Sequence, residues 1–157
     1  MSARVGLGFD VHAFGGDGPL VLGGVSIPGA KGLAGHSDAD VVAHAVADAL
    51  LGATGLPDLG TLFPASDETL RGISSMALLR DVERRVHDAG WSVANVDVVI
   101  AAETPPLAAH VAAMSTNLAE VIGAPVSVKP KHTEGLGATG RGEGIAVWAV
   151  AMLESKP

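Results

Sequence analysis

The sequence predicts an α/β or α+β fold of one domain, residues 1–157, with helices covering a mixed β-sheet. Strand-like and helix-like patterns alternate along the chain, which is typical of this class. No repeat, low-complexity tract or linker divides the sequence, and its length is enough to bury one core. Because the chain is 48% apolar but only 3% aromatic, we expect a core of Ala, Val, Leu and Ile.

The first predicted strand, Arg4–His12, alternates with a period of two residues, as half-buried strands do. One face carries the apolar residues Val5, Leu7, Phe9 and Val11. The other face carries Gly6, Gly8, Asp10 and His12. Glycine in a strand often marks a place where another group approaches the backbone closely. We therefore expect the glycines to clear the face that ends in Asp10 and His12.

Short strands are predicted next, at Leu20–Leu22 and Val25–Ile27. The segment Gly35–Asp38 supplies N-cap chemistry for a first helix, whose apolar residues recur at helical spacing from Val41 up to Gly52. The spacing of Leu and Val predicts a second helix over residues 75–89, stopped by Gly90.

Three strands and one helix are predicted in the second half of the chain. Val93–Ala101 and Val126–Lys131 have extended patterns, and the continuous apolar run Ile145–Leu153 is typical of a buried strand. Pro105 and Pro106 suit the first turn of a third helix that continues to Ile122.

Composition excludes several kinds of site and partner. The chain has no cysteine, so any metal must take His and carboxylate ligands. Its net charge of −7 argues against nucleic-acid binding, although a metal ion could still hold an anionic substrate locally. No secretory signal opens the chain, and no apolar run reaches the roughly 18–20 residues that span a bilayer. We expect a cytoplasmic protein without a membrane partner.

Asp10, His12 and His44 are the candidate metal ligands. Residues two apart on a strand point the same way about 7 Å apart, so Asp10 and His12 can reach one ion. His44 lies on the first helix, one turn before Asp48, which we expect to accept the other ring N–H of His44. Two His and one Asp leave a fourth position open, as in catalytic zinc sites, although Mn, Fe and Co also fit. Spacing alone leaves ordinary structural roles for these residues equally open.

Four segments together resemble one family. They are Gly8–Phe14, Gly35–Val41 with His44, Asp58–Gly60 and Thr139–Gly144. The family is the 2-C-methyl-D-erythritol 2,4-cyclodiphosphate synthases of the non-mevalonate isoprenoid pathway. The match covers nearly the whole chain, in order and at matching spacings.

The resemblance implies a reaction, an assembly and two metals. A family member is a phosphorus–oxygen lyase that converts 4-diphosphocytidyl-2-C-methyl-D-erythritol 2-phosphate to the cyclic diphosphate and CMP. The family forms homotrimers with active sites at subunit interfaces, and an isoprenoid diphosphate is a further candidate ligand of the trimer cavity. Zinc is implied at Asp10, His12 and His44, and Mg²⁺ or Mn²⁺ at Glu134, where it bridges the α- and β-phosphates of the substrate.

The resemblance also implies roles for single residues. His36 and His132 occupy positions that stabilise the transition state. Residues implied to contact substrate are Ser37, Asp58, Gly60, Phe63, Asp67, Lys131, Thr133 and Arg141. Within this set, Asp58 and Gly60 match positions that hold the erythritol hydroxyls.

Two segments depart from the family pattern. The usual Ala-Pro-Lys is here Thr104-Pro105-Pro106, so a lysine that contacts the nucleotide is missing. The family's threonines before the glutamate are replaced by Lys131 and His132, and only Thr133 remains. We hypothesise that Lys131 restores the lost positive charge and that His132 replaces a hydroxyl donor with an imidazole donor.

Two other functions remain open at the level of sequence. One is a related metal-dependent phosphohydrolase, in which water attacks the phosphate. The other is a non-catalytic trimer that binds metal, nucleotide or isoprenoid diphosphate. The presence of all three zinc ligands together with Glu134 disfavours the second alternative.

Overall fold

A five-stranded mixed sheet forms the frame of the protein, and the computed structural model describes all residues, 1–157. Its strands are β1 (Ala3–Gly16), β4 (Gly32–Leu33), β5 (Trp91–Ala101), β6 (Val126–Lys131) and β7 (Gly144–Ser155), in the order β4-β1-β7-β5-β6. Only β5 and β6 are parallel to each other. A separate hairpin pairs β2 (Leu20–Leu22) with β3 (Val25–Ile27).

Helices cover this sheet, as predicted, but on one of its faces only. The longer ones are α1 (Val41–Thr54), α3 (Ser75–Asp88) and α4 (Val111–Ile122), and the single turns are α2 (Leu59–Leu62) and α5 (Gly137–Gly140). The core between the layers consists of aliphatic side chains such as Leu50, Leu79, Ile100, Leu118 and Leu153. Burying one such side chain contributes about 1.5–3 kcal/mol. The mixed sheet with covering helices confirms the predicted fold class, and no helix has the length and apolar character needed to cross a membrane.

The glycines of β1 bring α1 into direct contact with the strand backbone. A Cβ at Gly6 would lie 1.9 Å from the carbonyl oxygen of Ala49, and one at Gly8 would lie 1.9 Å from that of Ala45. The cleared face of β1 is therefore filled by a helix. This close approach places His44, one residue before Ala45, beside Asp10 of β1.

The apolar face of β1 points away from the helices and is exposed in this chain. The side chains concerned are Val5, Leu7, Phe9 and Val11. β7, predicted as a buried strand, is buried toward the helices but exposed on the other side through Trp148, Val150 and Met152. The prediction is correct for one face only, because helices cover only that face of the sheet.

Two predicted helix starts also need correction. Asp40, not Gly35–Asp38, is the N-cap of α1: its carboxylate accepts backbone N–H bonds from Val42 and Ala43 and also from the β2–β3 turn. α4 begins at Val111, after a 3₁₀ turn at Ala108–His110, so the two prolines precede the helix. The residue before a proline disfavours the α conformation, so consecutive prolines delay the helix start.

Candidate active site around a metal centre

Three side chains from two elements converge as predicted. Asp10 Oδ2 lies 3.0 Å from His12 Nε2 and 3.0 Å from His44 Nδ1, and the two ring nitrogens are 3.3 Å apart. These three residues form the one group of His and carboxylate side chains in the structure that could hold a metal ion. Tetrahedral zinc, with ligand bonds of about 2.0–2.1 Å, separates its ligand atoms by about 3.3 Å. The donor set therefore fits an ion of this size.

His12 is fixed in the tautomer that metal binding requires. Its Nδ1 lies 2.5 Å from the carbonyl oxygen of Ala34. A carbonyl only accepts, so Nδ1 carries the proton and Nε2 presents its lone pair to the cluster. The backbone just before Gly35 thus orients one ligand.

The ligands perturb one another's protonation. Burial alone would raise the pKa of Asp10, but the adjacent imidazoles of His12 and His44 hold that pKa well below its usual range. The hydrogen bond to Asp10 raises the pKa of His12, although burial of the ring acts in the opposite direction. A proton on His12 Nε2 and a metal ion would therefore compete for the same position beside Asp10.

Zinc binding requires His12 without a proton on Nε2, and the pKa of His12 is raised above 6.5, the ordinary value for histidine. Zinc affinity is therefore expected to begin falling at a pH above 6.5 and to fall further as the pH decreases. The metal-free protein should respond in the opposite way. The His12–Asp10 ion pair contributes its full stability below pH 6.5 and loses it as pH rises through the raised pKa. Thermal unfolding with and without zinc between about pH 5.5 and 8.5 tests both trends. A zinc affinity that is constant over this interval would contradict the prediction.

Asp48 makes no hydrogen bond to the His44 ring, contrary to the prediction. Its carboxylate accepts the backbone N–H of Leu59 at 2.8 Å and so holds the start of α2. His44 Nε2 instead lies 2.8 Å from Ser75 Oγ and 3.2 Å from Ser37 Oγ. Ser75 is 31 residues from His44 along the chain, and no local pattern in the sequence points to it.

A pocket of about 280 Å³ opens beside the three ligands. Predicted site residues in its wall are Asp10, His12, His36, Ser37, His44, Asp48, Gly60 and Phe63. Apolar side chains complete it, including Leu59, Leu70, Ile73 and Leu78. A mostly apolar pocket with a few convergent polar groups is typical of a small-molecule site.

Asp58 and Asp67 were predicted to contact substrate but do not line this pocket. Asp58 is the N-cap of α2 and accepts the N–H of Thr61. Asp67 caps a 3₁₀ turn by accepting bonds from Thr69, and its backbone carbonyl lies 3.0 Å from His36 Nε2. Each carboxylate thus organises the short segments that carry the pocket wall.

The other predicted residues lie elsewhere in the chain. Lys131 and His132 line a separate pocket together with Pro105 and Pro106. Glu134 follows in the next loop, with a positive φ of 55°, and is not part of the metal cluster.

Thr133 and Arg141 are both held by glutamates. Thr133 donates both its N–H and its hydroxyl to Glu103, a residue that sequence analysis missed. Arg141 pairs with its neighbour Glu143.

The metal cluster and the Lys131–Glu134 loop lie at the same end of the sheet but are separate within one chain. His12 pairs with Ile145 on β7, Ala146 of β7 pairs with Ala101 on β5, and Ala101 pairs with Lys131 on β6. Three strand spacings of about 4.8 Å separate the two backbones by about 14 Å. The pockets share no lining residue.

This fold and this cluster define a small α/β protein with a candidate metal site, in which three side chains that could bind an ion lie beside an open pocket. Comparison with known proteins then makes the assignment more specific. The YgbB family model matches residues 3–154, and the chain belongs to this family.

Relatives and solved structures agree with that assignment. The 2-C-methyl-D-erythritol 2,4-cyclodiphosphate synthase of Pectobacterium atrosepticum is 54% identical over 156 residues, 98% of this chain and 94% of the relative. An Escherichia coli enzyme of the same name is 53% identical over 153 residues, 96% of each chain. The Plasmodium falciparum IspF complex with CDP has a TM-score of 0.85 at 30% identity, over 99% of this chain and 97% of that one. The bifunctional IspDF of Campylobacter jejuni has a TM-score of 0.94 at 40% identity; the match covers 98% of this chain but 42% of that longer one.

Proposed function

We propose that this protein converts 4-diphosphocytidyl-2-C-methyl-D-erythritol 2-phosphate to 2-C-methyl-D-erythritol 2,4-cyclodiphosphate and CMP. The observation that carries the proposal is the convergence of Asp10, His12 and His44 beside a pocket. Curated relatives that share more than half of their residues with this chain are named as that synthase.

The reaction needs positioning more than covalent help. An oxygen of the 2-phosphate attacks the β-phosphorus, a new P–O bond forms, and the bond from that phosphorus to the bridging oxygen breaks, so that CMP leaves. Two groups of like charge must therefore be held in line. A zinc ion bound at the cluster supplies positive charge next to the phosphate oxygens. No side-chain nucleophile is required, which agrees with the absence of cysteine.

The pocket wall supplies candidate contacts for the remainder of the substrate. His36, held by the backbone of Asp67, is proposed to stabilise the transition state, and Ser37 to contact a phosphate. Gly60 and Phe63, both in the pocket wall, are proposed to contact the erythritol portion, with Asp58 at the adjoining turn. These roles follow from the resemblance and from the location of each residue beside the pocket.

We further propose a homotrimer in which each active site combines half-sites from two neighbouring chains. The Lys131–Glu134 loop would reach the metal cluster of an adjacent copy, with His132 as a donor and Mg²⁺ or Mn²⁺ bound at Glu134. The separation of the two half-sites within one chain supports this arrangement, and so does the exposed apolar face of β1 and β7. Such an assembly would enclose an apolar cavity suited to an isoprenoid diphosphate. Arg141 is proposed to contact a phosphate of the substrate at the subunit junction.

Leu7→Glu is expected to dissociate the trimer. Leu7 lies at the centre of the exposed face and is 66% exposed in one chain, so a glutamate there would be buried without a partner on assembly. Light scattering should give three times the chain mass of 15.7 kDa for the wild type and a smaller mass for the variant. Ala113→Glu, at an exposed residue of α4 on the helix-covered side of the sheet, is the control. A monomeric wild-type protein would contradict the assembly.

Lys131→Ala is expected to raise KM for the cytidine substrate about tenfold, equivalent to about 1.4 kcal/mol, with a smaller effect on kcat. Lys131 and Pro106 line the same pocket, so the lysine can replace the charge that proline lacks. Lys129→Ala is the control, because Lys129 lies two residues earlier on β6 and pairs with Asp97 at 2.7 Å. An unchanged KM for Lys131→Ala would rule out the compensation.

Phosphorus NMR of the reaction mixture tests the proposed function directly. A cyclic diphosphate together with CMP is the expected product. An open-chain phosphate would instead indicate the phosphohydrolase alternative. Unchanged substrate in the presence of both metals would indicate a binding protein.

A further inference from the structure

Ser75 is a buried polar residue that the proposed reaction does not use. It is the first residue of α3 and is 1% exposed. Its hydroxyl lies between His44 Nε2, at 2.8 Å, and Asp38 Oδ1, with which it makes a very short hydrogen bond. The other buried polar residue, Asp40, is fully accounted for by its backbone bonds. Ser75 has no comparable local structural role, since the cap position of α3 is Ser74.

The direction of each hydrogen bond follows from what the groups can donate. Asp38 accepts backbone N–H bonds on both oxygens, from Asp40 at 3.2 Å and from Ser75 at 3.1 Å. An ionised carboxylate has no donor, so the Ser75 hydroxyl donates to Asp38. That hydroxyl has one hydrogen, and toward His44 it can therefore only accept. His44 Nε2 must carry a proton.

Ser37 is compatible with this arrangement. Its Oγ lies 3.2 Å from both Ser75 Oγ and His44 Nε2, and it accepts the N–H of Ala39. Ser75 Oγ retains a lone pair for the Ser37 hydroxyl when that hydroxyl is not bound to substrate. The shorter contact of the imidazole is to Ser75, so Ser75 determines the tautomer.

We propose that Ser75 and Asp38 are positioning residues that hold His44 with Nε2 protonated and Nδ1 free to bind metal. The proposal rests on the metal centre described above and adds two residues to it. We call the hydrogen-bonded chain His44–Ser75–Asp38 the relay. Without the relay, the ring can rotate or adopt the other tautomer, whose Nδ1–H would point at Asp10 and exclude a cation. The two imidazole ligands are then oriented by different means: His12 by a backbone carbonyl and His44 by a hydroxyl backed by a carboxylate.

The relay also connects three separate parts of the fold. Asp38 lies in the loop before α1, His44 on α1 and Ser75 at the start of α3. The N–H of Ser75 and its hydroxyl both bind Asp38, so the loop and α3 are fixed together at this point. A change at Ser75 would therefore be transmitted to the metal ligand without any direct contact with substrate.

The first test uses the wild-type protein loaded with zinc. NMR of protein with isotope-labelled histidine should show a proton on Nε2 of His44, protected from exchange with water, and none on Nδ1. A proton on Nδ1 would overturn the proposal without recourse to any variant. If the wild-type protein binds no zinc, the metal centre itself is wrong, which is a distinct outcome.

The second test compares three variants. Ser75→Ala should weaken zinc binding about 10- to 100-fold in competition with a chelator, the usual effect of losing a partner behind a ligand. Its His44 Nε2 proton should exchange faster. Ser75→Thr, which keeps the hydroxyl, should restore most of the affinity, and Ser74→Ala, which loses no side-chain cap bond, should bind zinc like the wild type. Wild-type zinc affinity and slow Nε2 exchange in Ser75→Ala would overturn the proposal.

Discussion

His44→Ala is expected to abolish tight zinc binding and to reduce formation of the cyclic diphosphate by about a thousandfold or more. The variant leaves two of three ligands, so the site no longer satisfies the coordination of a catalytic ion. Loss of a metal that stabilises phosphate charge removes several kcal/mol of transition-state stabilisation, and each 1.4 kcal/mol changes the rate about tenfold. Metal analysis after dialysis and the rate of CMP release measure both effects.

The control for this prediction is His87→Ala, which removes an exposed histidine at the end of α3. It should retain zinc and activity. The fold of His44→Ala should also survive, because the three candidate ligands line the pocket and His44 is not part of the aliphatic core. A His44→Ala protein that keeps both its zinc and its turnover would show that the metal centre has been misassigned.

Gly8→Val is expected to destabilise the protein by about 3 kcal/mol or more, which lowers Tm by roughly 6–12 °C for a chain of this size. A Cβ at Gly8 would meet the carbonyl oxygen of Ala45 at 1.9 Å and the backbone nitrogen of Ala49 at 2.7 Å. These are backbone atoms, so the clash can be relieved only by displacing α1. Because α1 carries His44, zinc binding should weaken together with stability.

Thermal unfolding and a zinc titration of the same sample test this coupling. Gly18→Ala is the matched control, since a Cβ at Gly18 meets no atom within 4 Å and its φ is not positive. Gly8→Ala should show a smaller version of the same defect. A Gly8→Ala protein with wild-type Tm and zinc affinity would mean that the helix–strand contact has more freedom than the structure indicates.

Several features of the fold are encoded locally and were therefore predictable. Val126–Lys131 is a strand with the predicted bounds, and α3 ends at Asp88, one residue before the predicted end. Helical and extended periodicities depend on neighbours within a few residues, so one sequence displays them. The convergence of Asp10, His12 and His44 was also predicted, first from side-chain chemistry and spacing and then from the resemblance to a family.

The predicted hydrogen-bond partner of His44 was wrong because residues far apart in the chain can bind the same side chain. His44 has a carboxylate one turn away at Asp48, yet its ring binds Ser75, which folding brings from another helix. Asp48 was already engaged by the first N–H of α2. An i, i+4 pattern identifies residues that can meet, but it carries no information on a better partner elsewhere.

The sequence by itself determined the residue types of the metal site, the period of each strand and helix, and the glycines that let α1 approach β1. The tertiary structure alone decided which face of the sheet is covered, which hydroxyl contacts His44, and that the two halves of the proposed site lie about 14 Å apart in one chain. The physical reason is that the spacing of apolar residues indicates only how side chains point relative to their own helix or strand. Which surface fills the facing space depends on contacts between residues far apart in the chain.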